Sequence, residues 1–286
     1  MKKNPWLLYA LITTVFWGVW GAFIEIPEHA GFPATLGYVV WTLTMIPCAL
    51  VALYFIKWKL EIDKRSIVLG SLIGLLGAGG QLVLFQALKD GPAYIVFPLI
   101  SLFPVITIFL SLVFLKEKAG IRQWIGIVVA LLAIAFLSYQ EPSENNSSNY
   151  AWLILSVFVF LMWGIQAYVM KFSNETMKAE SIFFYMMVTS VVLIPVALLM
   201  TDFSQEINWG FKGPYLAGII HLLNAIGALT LVYALRYGKA IVVVPLTGLS
   251  PVITIVISLI MYSVMPSSML LVGLLLAVIA IFALSE

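Results

Sequence analysis

Charged residues in this chain fall into small clusters, and between them lie ten apolar runs. They occupy roughly 6–26, 34–56, 66–88, 92–115, 121–139, 150–171, 181–200, 214–235, 239–263 and 267–284. A helix of about 20 residues spans the hydrocarbon core of a bilayer, about 30 Å thick. Lipid offers no hydrogen-bond partners, so each run is expected to close its backbone bonds within itself, as a helix. The chain is 63% hydrophobic and 10% charged, well beyond an ordinary soluble domain. The longest polar breaks are "QEPSENNSSN" and "TDFSQEINWGFK", too short for a soluble domain, so any function is expected inside the bundle. Lys2 and Lys3 precede a first run that is too long for a cleaved signal and lacks a small-x-small site, so it is expected to remain as a span.

Basic residues set the expected orientation. With the N-terminus cytoplasmic, 13 of the 15 lysines and arginines fall inside and only Lys89 and Lys212 outside, a strong positive-inside bias. Both termini are therefore expected to be cytoplasmic, in the inner membrane of a cell that has two. The net charge of +2 is read as topology, with no nucleic-acid partner.

The chain also repeats itself. "SLFPVITIFLSL" at 101–112 returns as "GLSPVITIVISL" 147 residues later, and 15 of the 30 residues in 86–115 are identical to those in 233–262. "VFWGVWGAF" at 15 pairs with "LMWGIQAYV" at 161 at a shift of 146. The expected division is a first five-helix repeat at 1–140, a polar outer linker at 141–149 and a second repeat at 150–286. Five is odd, so the second copy enters the membrane from the opposite side. Inverted halves can exchange conformations and expose a site between them to one side and then the other. Pro104 and Pro251 hold equivalent places and each removes a helix hydrogen bond, which makes them hinge candidates; the alternative is that they only shape packing.

The phrases "FWGVWGAFIE" and "MWGIQAYVMK", the Pro-Val motifs of the fourth and ninth spans, and "FLKEKAGIRQWIGIVVALLAIAFLS" resemble the two EamA-type halves of the drug/metabolite transporter superfamily. The resemblance covers nearly the whole chain. It implies an all-α polytopic membrane protein of ten helices in two inverted five-helix repeats around a central cavity, moving small metabolites without ATP. Trp163, Gly164, Lys171 and Glu117 fit the pattern of such halves. Glu25 stands where the first half would carry lysine, and "MYSVMPSS" lacks the second-half glutamate.

Polar side chains deep in a bilayer are costly unless they face the bundle interior or water. His221 and Asn224 are i and i+3 on the eighth span, hence on one face. Gly74 and Gly77 are their repeat counterparts, and Gln81 shares that face of the third span. Inversion places Gln81 and His221 at a similar depth, roughly 10 Å from the outer surface. Each either lines the cavity or bonds a neighbouring helix. Trp17 and Trp163 match across the repeat and sit too deep for an interfacial belt, so they are read as cavity wall, with Trp20 and its partner Gln166 beside them. The small residues from Gly70 are read as packing. Glu25, at the C-terminal end of the first helix, lies where the dipole disfavours an anion and is the ion-coupling candidate, attracting a cationic substrate or carrying a coupling proton; the alternative is that it reaches outer water beside Glu28.

The expected substrate is a small organic metabolite such as an amino acid, an amine or a nucleoside-like molecule, moved by secondary-active transport with a proton or another ion coupled to it. Export of lipophilic or cationic drugs is the alternative, and a channel or scaffold a more distant one. There is no phosphate-binding Gly-rich loop, no Gly-x-Ser-x-Gly elbow and no metal-ligand spacing, so no cofactor, metal or catalytic activity is expected. Cys48 alone cannot form an intrachain disulfide. The lipid bilayer is the other partner, and the protein is expected as a monomer or homodimer.

Overall fold

The computed structural model describes residues 5–91, 93–139, 151–262 and 266–285; the expected linker at 141–149 lies outside them. The described residues form ten apolar helical spans and no strand. They are α1 (Pro5–His29), α2 (Ala34–Phe55), α3 (Lys64–Lys89), α4 (Ile95–Val113), α5 (Ile121–Leu137), α6 (Ala151–Ser173), α7 (Ala179–Met200), α8 (Phe211–Tyr237), α9 (Ala240–Met261) and α10 (Ser268–Ser285). All but α5, at 17 residues, are long and apolar enough to count as membrane spans.

Local chemistry explains the helix starts and breaks. Asp63 caps α3 by accepting from the Ser66 amide at 3.1 Å and its hydroxyl at 2.6 Å, and these bonds hold its carboxyl below the usual range. The α4 region is helical over Ala93–Ser101 and again from Pro104; α9 stops at Thr247 and resumes at Pro251. Each proline thus opens a new helical segment, where its missing N–H costs nothing. The expected paired interruptions are present.

The halves are intertwined. α1 lies along α8 and α9, and α6 along α3 and α4, so each half sends its first helix into the other. α5 packs on α10 beside this inner bundle. The main core is continuous through both halves, with Met45, Ile73, Ile134, Phe183, Leu235 and Leu246 among its buried members.

At both ends a loop of one half grips a loop of the other, in repeat-related positions. At the end carrying the α2–α3 and α6–α7 connections, Glu61 accepts from the Lys178 amide at 3.2 Å, with the Lys178 ammonium 3.7 Å away. At the opposite end Asn208, the counterpart of Glu61, donates from its amide to Gly31 O at 3.0 Å and from its side chain to Ala30 O at 2.9 Å. These clasps match. The elbows between α3 and α4 and between α8 and α9 do not. Every residue from Ala240 to Thr247 is buried, with Val242 only 2% exposed, whereas Ile95, its counterpart at the start of α4, is 38% exposed. Among the described residues the bundle is sealed at the α8–α9 elbow, whereas the α3–α4 elbow buries Val96 and Ile100 but leaves Ile95 exposed.

Candidate functional site

Two seams carry the polar groups, and each repeats the other. Thr254 Oγ1 donates to Gly18 O at 2.8 Å on one seam, and Thr107 Oγ1 donates to Gly164 O at 2.8 Å on the other. The Trp17 indole N–H donates to Asn224 O and the Trp163 indole N–H to Gly77 O, both at 3.3 Å. The indoles come this close because glycine faces them. A methyl group on Gly227 would lie 2.5 Å from Trp17, and one on Gly80, the counterpart of Gly227, would lie 2.6 Å from the Trp163 nitrogen. Hydrogen bonds of this kind contribute about 0.6 kcal/mol each on average in membranes. Four of them in mirrored places fix the register of α1 on α8 and α9 and of α6 on α3 and α4.

The two seams differ one turn further along. On the α1–α8 seam, the Trp20 indole N–H donates to His221 Nδ1 at 3.2 Å. His221 is 6% exposed, and its Nε2 would lie 3.3 Å from a methyl group on Gly37 of α2. Because Nδ1 accepts, the neutral ring carries its proton on Nε2, a donor turned toward α2. On the α3–α6 seam glycines replace His221 and Asn224, and Gln166 fills the space in front of Gly77. The side-chain amides of Gln81, Gln166 and Asn224 are half-buried, and none of the hydrogen bonds among the described residues engages them. Amides left unengaged at mid-span keep their donor and acceptor capacity.

The structure therefore joins Trp17 and Trp20 to the His221–Asn224 face, and Trp163 and Gln166 to the glycine face. Gln81 follows Gly80 on α3, and no hydrogen bond among the described residues links it to His221 or Asn224. The small residues of α3 do serve packing: a methyl group on Gly70 would lie 2.5 Å from Tyr185, and one on Gly74 2.6 Å from Thr189. Glu25 is exposed at the end of α1, 3.7 Å from His29 one turn on.

Three residues bear on the site without having been singled out for it. Trp41 of α2 buries an indole N–H that finds no partner among the described residues. It is a mid-span tryptophan like Trp17, but its repeat counterpart, Val188, is not, so matching the halves passes over it. Lys171 and Glu117 grip the α8–α9 elbow from opposite sides. The Lys171 ammonium donates to Leu235 O at 2.9 Å and Gly238 O at 2.7 Å. The Glu117 carboxylate accepts from the amides of Ala240 at 3.0 Å and Ile241 at 3.1 Å. A cation thus meets the negative end of α8 and an anion the positive end of α9.

A ten-helix bundle of two inverted halves, with polar groups held along the seams between them, defines a polytopic membrane transporter. The chain belongs to the EamA-like transporter family, which matches residues 4–139 and again 150–285. An uncharacterised protein of Methanocaldococcus jannaschii is 34% identical over 132 residues, 46% of this chain but 95% of that protein, which is thus about one repeat long. A protein of Archaeoglobus fulgidus described as an uncharacterised transporter is 30% identical over 54% of each chain. A probable 4-amino-4-deoxy-L-arabinose-phosphoundecaprenol flippase subunit of Photorhabdus laumondii is 33% identical over 29% of this chain and 76% of its own. A solved crystal structure superposes with a TM-score of 0.77 over 96% of this chain and 95% of its own, at 16% identity, a likeness of fold.

Proposed function

We propose that the protein is a secondary-active carrier that moves a small organic metabolite across the cytoplasmic membrane by alternating access. The single observation that carries this reading is the mismatch between its two elbows. The halves share the same seam bonds and clasp their loops at matching positions, yet among the described residues the α8–α9 elbow is buried throughout and the α3–α4 elbow is not. Two like halves in unlike conformations are what a carrier halted in one half of its cycle requires. Exchange of the two conformations would seal the α3–α4 elbow and open the other, with the breaks before Pro104 and Pro251 as pivots.

Between the seams, Trp17, Trp20 and Trp163 supply aromatic walls, and Gln81, Gln166, Asn224 and His221 Nε2–H supply hydrogen-bonding groups. This suits a small, partly planar solute with both donors and acceptors, such as an amino acid, an amine or a nucleoside-like molecule. The positive-inside bias supports cytoplasmic termini; in that orientation the sealed elbow is cytoplasmic and the open side faces outward. Residues 1–140 and 150–286 act as the two moving repeats.

The test has two stages. Purified protein in detergent is heated against a metabolite panel, and a solute that raises the midpoint binds the folded state. That solute is then followed into proteoliposomes under a proton or sodium gradient. Saturable uptake that runs uphill supports a carrier; flux that never saturates and never runs uphill refutes it in favour of a channel.

A further inference from the structure

The elbow gripped by Lys171 has a counterpart that carries the opposite charge. Glu25 stands 146 residues before Lys171, in a register pinned by Trp17 and Gly18 against Trp163 and Gly164, whose contacts correspond one to one. The Lys171 ammonium sits on Leu235 O and Gly238 O; the counterparts of those oxygens are Leu88 O and Gly91 O, at the C-terminal end of α3. Gly91 and Gly238 end their helices alike, each with its amide 2.8 Å from the carbonyl four residues back. Leu88 O has no helical donor available, because residue 92 is proline and lacks an N–H. When the α3–α4 elbow packs as the α8–α9 elbow does here, a carboxylate arrives where the other half places an ammonium. Carboxylate and carbonyl oxygens all accept and none donates, so they repel unless a positive charge lies between them.

We infer that Glu25, Leu88 O and Gly91 O form a site for a small cation, assembled only when the α3–α4 elbow closes, so that closure of this end requires a bound metal ion or proton. The inference rests on the alternating-access reading and deepens it by naming where the coupling ion acts. The Lys171 ammonium is a tethered version of the same arrangement, a positive charge held on two helix-terminal carbonyls. An all-oxygen set suits a hard cation such as sodium, and a proton on Glu25 would serve equally by turning one oxygen into a donor. The other charged groups at this end are Glu28 and His29 on α1, Lys89 with Asp90 at the end of α3, and Asp202, Glu206 and Lys212 between α7 and α8. His29, 3.7 Å from Glu25, is the one among them in contact with the Glu25 carboxylate.

Closure is read from a thiol introduced by Ile95→Cys in a Cys48→Ala background, in detergent, as its rate of alkylation. Each rate is divided by that of the same protein carrying Glu25→Ala at the same pH. With Glu25 present, sodium in place of choline at pH 8, or a pH of about 5 without sodium, should slow alkylation about tenfold; the arm that does so identifies the ion. The acid arm is repeated with His29→Gln, which should leave the slowing intact. Glu25→Lys supplies its own ammonium and should give slow alkylation in every medium. The inference is overturned if neither ion slows alkylation, if Glu25→Lys alkylates as fast as Glu25→Ala, or if slowing disappears with His29→Gln. Reciprocal thiols at positions 95 and 242 that still respond oppositely to the panel solute would then leave alternating access standing. If they never respond oppositely, alternating access itself fails.

Discussion

Removing the Glu117 carboxylate should release the sealed elbow. It accepts from two amides, those of Ala240 and Ile241, whose residues are both fully buried. Hydrogen bonds to a charged acceptor contribute about 1.5 to 3 kcal/mol each, and buried donors left without one cost a comparable amount. Glu117→Ala therefore weakens the sealed arrangement by about 3 kcal/mol at the low end of that range. In the opposite arrangement these amides face water and lose nothing. At about 1.4 kcal/mol per factor of ten, the opening equilibrium moves by about a hundredfold. Glu117→Gln keeps one acceptor without the charge and should move it by about tenfold. The assay is alkylation of a thiol introduced by Val242→Cys, a position 2% exposed in the sealed elbow. A rate for Glu117→Ala within about threefold of its parent corresponds to less than 1 kcal/mol and would refute the reasoning.

His221→Ala and Asn224→Ala should each weaken binding of the panel solute about tenfold, the worth of one hydrogen bond, with little loss of folded yield. Lower thermal stability with unchanged binding would make the pair structural. Gly80→Ala and Gly227→Ala should destabilise by similar amounts, about 1 to 3 kcal/mol each, by driving a methyl group into Trp163 and Trp17; thermal unfolding of the two variants compares them directly. In a Cys48-free background, an impermeant thiol reagent applied to intact cells should label Ser143→Cys and spare Lys118→Cys. The reverse would overturn the assigned orientation.

Much of the fold was legible because lipid leaves a chain few options. A run of about 20 apolar residues has one stable form there, and a shift of 147 residues over 15 identities leaves little doubt about duplication. The partners within the seams were not legible. Sequence spacing places His221 and Asn224 on one face, but which helix meets that face depends on how the halves interlock. The Trp20 donor is 201 residues from its acceptor. Lys171 and Glu117 were visible as residues the family pattern carries, but their work is done on backbone atoms of the α8–α9 elbow, and a backbone acceptor leaves no mark in a sequence. Trp41 was missed because the comparison of halves rewards agreement, and a residue that differs between them gains no weight.

All four mirrored seam bonds set a side chain of one half on a backbone oxygen of the other. A carbonyl is present whatever residue bears it, so the acceptor position is free to drift while the interface holds. That freedom is visible here: the oxygen receiving Trp163 belongs to a glycine, and the one receiving Trp17 belongs to an asparagine, at the same bond length. Because the inversion repeats the joint, its geometry is that of two identical half-length chains in opposite orientations, each the size of the archaeal relative. Once the copies share one chain, a new polar side chain can enter one side of the pair without disturbing the joint. Asn224 and Gly77 are that asymmetry: one of the matching acceptors carries an amide side chain and the other carries none.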